Sequence, residues 1–105
     1  WGWPGEAERA FTLTDYIAGR LERALVSLPG PAVVVGYCMG GLLALAMALR
    51  RPDRVSALGL LATPWDFHAT PADARRATGL AAVLPGLEPL MEATGTLPVD
   101  AIQAL

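Results

Sequence analysis

One cysteine and one histidine in 105 residues exclude an intrachain disulfide and any cluster of these ligands able to hold zinc, so neither a metal nor a resident cofactor is expected. A reducing, cytoplasmic setting fits that scarcity. Charge is scarce as well, at 17% of residues with a formal net charge of −2. The arginines are scattered and form no basic stripe, which excludes nucleic acid and anionic membrane surfaces as partners. The longest apolar run, Met39 to Leu49, is about half of what a bilayer span requires, and Arg50 and Arg51 close it. It reads as a buried helix. Neither the basic start and cleavage pattern of a signal peptide nor an initiator methionine is present, and an excised piece of a longer chain is expected.

Apolar residues, by contrast, make up 53% of the chain, and mean hydropathy is positive. That is far too apolar for a disordered segment, and the length allows one small domain and not two. Residues 1–11 read as an irregular arm. Thr12 or Thr14 can cap a helix in which Ile17, Leu21, Ala24, Leu25 and Leu28 recur at spacings of three and four, and "LPGP" stops it. Ala32–Tyr37 and Val55–Ala62 are short runs apolar on both faces, the mark of interior parallel strands. Between them Met39 to about Arg51 is a helix that Pro52 halts. Thr70, Pro71 and Asp73 form a helix start, and that helix is predicted to run to about Val83. Pro89 and Pro98 are predicted to begin two shorter helices, the last still running at Leu105.

Strand, helix and strand in this order predict a parallel α/β unit. Two strands buried on both faces need neighbours that this sequence does not contain. The expectation is therefore the central fragment of an α/β domain, residues 1–69 its core and residues 70–105 a helical, cap-like segment.

The cysteine stands at the joint between the first strand and its helix. Gly36-Tyr37-Cys38-Met39-Gly40 has the form G-x-C-x-G, the position of a nucleophile elbow whose usual form carries serine. Such a turn strains the nucleophile's backbone and brings strand and helix so close that side chains two before and two after it must be nearly absent. Gly36 and Gly40 meet that requirement on this reading, and Gly41 widens the clearance. At a helix start, unpaired N–H groups and the dipole favour thiolate over thiol at Cys38. The backbone N–H of Met39 is the expected oxyanion donor. The competing reading of a lone cysteine is a buried, inert one.

With these residues in view, the sequence resembles the polyhydroxyalkanoate synthase family of the α/β-hydrolase superfamily. The resemblance covers residues 1 to about 68 and rests on "WGWP" at 1–4, "DYI" at 15–17, "VVGYCMGG" at 34–41 and "LGLLATPWDF" at 58–67. Beyond Thr70 it fades into generic helix. The resemblance implies that Cys38 takes a hydroxyacyl group from 3-hydroxyacyl-CoA as a thioester and passes it into a growing polyester. It implies further a cytoplasmic enzyme at polyester-granule surfaces, acting as a homodimer or with an accessory subunit. The family's catalytic aspartate and histidine lie on later strands, and its second oxyanion donor precedes Trp1, so the isolated chain is expected to be inactive. Two rivals stand beside this reading: a thioesterase, esterase or polyester depolymerase built on the same elbow, and a non-enzymatic scaffold with an idle cysteine.

Other residues invite stronger claims than they carry. Asp66 and His68 follow Cys38 in the order acid then base, yet two residues apart on one loop they diverge, whereas triad members come from separate strand ends. Asp66 is expected to order its loop and His68 to lie at the surface or in a lid. Trp65 and Phe67 are expected to pack beneath a cap, Trp1 and Trp3 to cover the sheet edge, and Asp15 and Tyr16 to be cap and core residues.

Overall fold

The structure, a computed structural model, describes residues 2–104. In chain order it contains α1 (Glu6–Arg9), a π-helical segment Asp15–Leu21 continuing as α2 (Glu22–Val26), β1 (Ala32–Tyr37), α3 (Met39–Arg50), β2 (Val55–Leu61), α4 (Pro71–Thr94) and α5 (Val99–Gln103). Contacts divide the chain into two units, one of residues 11–65 and one of residues 2–10 with 66–104.

In the unit of residues 11–65, β1 and β2 pair in parallel, from Val33 opposite Ala57 to Tyr37 opposite Leu61. Parallel neighbours need a crossover, and α3 supplies it. Gly41, Ala44 and Met47 recur at helical spacing on the buried side of α3. Together with Leu25 of α2, Ala44 and Met47 are this unit's buried apolar residues. The expected cover on both sheet faces is not found among the described residues: Val33, Val35 and Tyr37 are 68%, 61% and 71% exposed on one face of β1.

The helix expected to start at Thr12 or Thr14 is capped by Thr12. Its hydroxyl accepts from the Asp15 N–H at 3.4 Å, and the Asp15 carboxylate accepts from the Thr12 N–H and hydroxyl at 2.7 Å each. This closed loop of hydrogen bonds holds the Asp15 carboxyl below the usual aspartate value. What the apolar spacing does not reveal is the wider winding over Asp15–Leu21, where the Glu22 N–H donates to the Ile17 carbonyl five residues back. A stripe at three and four suits an α-helix and a single π segment alike.

Arginines tie the ends of these elements together. Arg54, entering β2, donates through Nη2 to the carbonyls of Val26 at 3.2 Å and Leu28 at 2.5 Å, with Leu25 at 3.5 Å. These carbonyls belong to the C-terminal end of α2, where helical partners run out. At the end of α3, Arg50 pairs with Glu22 at 2.7 Å, and Arg51 pairs with Asp53 at 2.9 Å.

In the unit of residues 2–10 and 66–104, α1 lies within the stretch expected to be irregular; four residues are too few for a periodic signal. Thr70 caps α4 as its sequence predicts, accepting from the Asp73 N–H at 3.2 Å. The helix does not end near Val83, however, and Pro89 does not begin a new one: α4 runs to Thr94 with Pro85 and Pro89 inside it. Four residues apart, the two prolines share one helix face and leave the opposite hydrogen-bonded face unbroken. α4 stops at Gly95, left-handed at φ 76°, whose N–H donates to Met91 at 2.7 Å. α5 follows Pro98 as predicted and ends at Gln103; Leu105 lies outside the described residues. No residue of α1, α4 or α5 is buried. Among the described residues no helix is long and apolar enough to cross a membrane.

Candidate active site

Cys38 is the residue at which β1 becomes α3, and its backbone is held at φ 51° and ψ −130°. A positive φ is a genuine outlier for a residue that is neither glycine nor asparagine, and it persists only where its surroundings fix it. Three features do so. The Cys38 N–H donates to the Leu61 carbonyl of β2 at 2.9 Å, prolonging the sheet by one rung. The Cys38 carbonyl accepts from the Gly41 N–H at 2.9 Å, closing the first turn of α3. Gly36 and Gly41 are buried beneath the turn. The thiol itself is exposed, so the inert, buried cysteine is not what this turn presents. Met39 is the first residue of α3, a position whose N–H has no partner within the helix.

The glycines sort differently from the sequence expectation. A Cβ on Gly36 would lie 2.5 Å from the Gly41 Cα and 2.9 Å from the Gly40 carbonyl oxygen, so no side chain fits there. A Cβ on Gly40 would meet nothing within 4 Å. The close approach is made at Gly41, where a Cβ would overlap the side chain of Thr63. The first turn of α3 swings Gly40 away from the strand and turns Gly41 toward the sheet, so the second glycine that matters lies three residues after the cysteine and not two.

Thr63 and its neighbour Ala62 are the part of the site that sequence reasoning missed. Ala62, directly after β2, has φ 48°, the only other positive value outside glycine among the described residues. Since Tyr37 pairs with Leu61, Cys38 and Ala62 are the next residues of adjacent strands, and both chains turn sharply at one level. Thr63 then places its side chain in the notch of Gly41, its hydroxyl oxygen buried and without a hydrogen-bond partner. Nothing in "LLATP" marks an alanine for this conformation.

No acid or base of this unit reaches toward the thiol. The carboxylates in residues 11–65 are Asp15, Glu22 and Asp53, and they are engaged with Thr12, Arg50 and Arg51. Asp66 and His68 belong to the other unit. There the Asp66 carboxylate accepts from the His68 backbone N–H at 2.8 Å, a turn-ordering bond to the main chain and not to the imidazole. Trp65 and Phe67, expected to be packed, are 75% and 58% exposed. Trp3, expected over the sheet edge, is 90% exposed, and Trp1 lies outside the described residues. Tyr16 meets Phe11 edge-on at 5.5 Å. Among the described residues no three His, Cys, Asp or Glu side chains gather as a metal site requires.

Residues 4–85 match the family model described as alpha/beta hydrolase fold. The chain is 31% identical over 107 residues to the poly(3-hydroxyalkanoate) polymerase subunit PhaC of Synechocystis sp., a match covering 95% of this chain and 28% of that protein. It is 39% identical over 72 residues to the subunit of the same name in Allochromatium vinosum, covering 64% and 20%. It is also 35% identical over 79 residues to a pimeloyl-[acyl-carrier protein] methyl ester esterase of Neisseria meningitidis, covering 75% and 30%. The chain thus spans less than a third of the length of these curated relatives. No solved structure matches it.

Proposed function

The chain belongs to the α/β-hydrolase fold family, and from that premise we propose that Cys38 is the nucleophile of an acyltransferase that makes polyester from 3-hydroxyacyl-CoA, as a polyhydroxyalkanoate synthase does. The observation that carries this reading is an exposed cysteine at φ 51° and ψ −130° between a parallel strand and its crossover helix. Strain of this kind costs about 1–3 kcal/mol, and an idle cysteine needs none of it. Similarity to the PhaC subunits supports polymer synthesis as the chemistry of this elbow.

In that chemistry the Cys38 sulfur adds to the thioester carbonyl carbon, the bond from that carbon to the CoA sulfur breaks, and CoA leaves with the proton that Cys38 gives up. The Met39 N–H, at the first position of α3, donates to the oxyanion in between. The product is again a thioester and so remains activated toward the hydroxyl of the next unit. Serine would hold the same group as a more stable oxygen ester. The base, its aspartate and the second oxyanion donor come from other parts of the full-length protein. No resident cofactor enters; CoA is carried by the substrate.

A hydrolase is the second reading, favoured by the similarity to the pimeloyl methyl ester esterase. Incubating the full-length protein with 3-hydroxybutyryl-CoA separates the two. Release of CoA with an acyl group on the Cys38 peptide, followed by polymer, is the expected result. Free 3-hydroxybutyrate without polymer replaces synthesis by hydrolysis, and full activity in a Cys38→Ala variant removes Cys38 from either mechanism.

A further inference from the structure

We propose that Thr63 is a positioning residue for the Cys38 thiol: by filling the notch over Gly41, its side chain sets where the first turn of α3 stands and so how the cysteine is presented. The proposal rests on the reading of Cys38 as nucleophile. Strained residues hold their conformation only when several contacts agree on it, and those at Cys38 converge on one small region. Its N–H is fixed by Leu61, the residue before the Ala62–Thr63 exit from β2, and its carbonyl is fixed by the Gly41 N–H, both at 2.9 Å. Gly41 is wedged between Gly36 beneath it and Thr63 beside it. Displacing Thr63 therefore frees the one residue that closes the turn.

Ala62 explains how Thr63 comes to be there. Its φ of 48° turns the chain out of β2 level with the turn at Cys38, which aims residue 63 back toward α3. The two strained residues form one device, with the second buttressing the first. The shape of Thr63 is what this role uses. Its Oγ1 is buried and unpartnered, so a valine, with the same branching and no hydroxyl, serves the same purpose without leaving a buried polar group unsatisfied.

The test is the rate at which iodoacetamide labels the Cys38 peptide in the full-length protein, read by mass spectrometry beside urea unfolding of each variant. Thr63→Val is expected to label at the wild-type rate. Thr63→Ala is expected to label about tenfold more slowly, because a loosened turn no longer holds the thiol at the start of α3, where its thiolate is favoured. Thr63→Ser, which lacks the methyl, falls between them. Should the alanine variant not fold, the valine and serine variants decide alone. Wild-type labelling in Thr63→Ala or Thr63→Ser, with only stability reduced, reduces Thr63 to packing and overturns the proposal. Slow labelling in Thr63→Val with normal labelling in Thr63→Ser also overturns it, because the hydroxyl then acts directly. Labelling is independent of acyl chemistry, so a wild-type protein that labels but takes no acyl group from CoA defeats the acyltransferase reading and leaves this one standing.

Discussion

Gly36 and Gly41 meet backbone to backbone: a Cβ on the first would lie 2.5 Å from the Cα of the second. That approach is far closer than any side-chain carbon tolerates, so β1 and α3 join here only because both positions are bare. Gly36→Ala is therefore expected to destabilise the full-length protein by about 1–3 kcal/mol, the cost of overpacking a rigid site. Gly40→Ala meets open space and gains helix propensity, up to about 1 kcal/mol. Urea unfolding of the two variants checks the contrast; equal losses at both positions would show that the turn needs the G-x-C-x-G pattern as the sequence presents it.

The same contrast shows how far the sequence could be read. Ala32 to Tyr37 and Met39 to about Arg51 announce a strand and a helix by apolar content and by Pro52, and both elements stand where expected, the helix ending at Arg50. The strained residue between them is legible because its glycines frame it. Which glycine bears the contact is not legible, since that depends on the direction in which the first turn of α3 faces. Ala62 is silent for the opposite reason. It is a residue that avoids φ 48° when left to itself, so local preference argues against the conformation that pairing with β1 imposes. Pro89 misleads in the same way, because proline usually marks a helix start, yet α4 continues through it.

Arg54 supplies a second point of attack on the fold. Its guanidinium donates to the carbonyls of Val26 and Leu28 at 3.2 and 2.5 Å, binding the end of α2 to the start of β2. Hydrogen bonds from a charged donor contribute about 1.5–3 kcal/mol, and Arg54→Met keeps the aliphatic stem while removing them. A fall in unfolding free energy of about 2 kcal/mol is expected on that scale. Arg54→Lys should recover only part, because the shorter side chain carries its ammonium short of the Nη2 position from which all these bonds are made. Unchanged urea midpoints for both variants would mean that the end of α2 is held by packing alone.

Acid should weaken the fold through two exposed carboxylates whose pKa values the folded structure depresses. Thr12 holds the Asp15 carboxyl below its ordinary 3.8 by hydrogen bonding from side chain and backbone, and Arg51 does the same for Asp53, chiefly through the side-chain hydrogen bond. A carboxyl whose folded value is depressed contributes stability that is complete above the unfolded value. That contribution is lost as pH falls through the folded value. The window thus opens near 3.8 and extends below it, with no change between pH 5 and 8 from these groups. Carbon-13 titration of the carboxyls should place both midpoints under 3.8. In Thr12→Ala the Asp15 midpoint should rise while that of Asp53 stays, and a common shift of both would trace the depression to overall charge instead.

The backbone of Cys38 makes the least intuitive prediction, that removing the side chain altogether should strengthen the protein. At φ 51° and ψ −130° a residue with a Cβ bears about 1–3 kcal/mol of strain, whereas glycine occupies that region freely. Glycine also raises the entropy of the unfolded chain, which offsets about 0.4–1 kcal/mol. Cys38→Gly should therefore be more stable than Cys38→Ala by about 1 kcal/mol, the balance of those two effects. Both lack the thiol, so both should fail to take an acyl group from CoA. Ala62→Gly, at φ 48°, should gain stability for the same reason while retaining the thiol. If Cys38→Ala and Cys38→Gly unfold at the same urea concentration, the turn is not strained, and the link between strain and reactivity at this position is lost. If they separate as expected, the protein retains at Cys38 a residue that its fold would do better without, which is the mark of a site kept for chemistry.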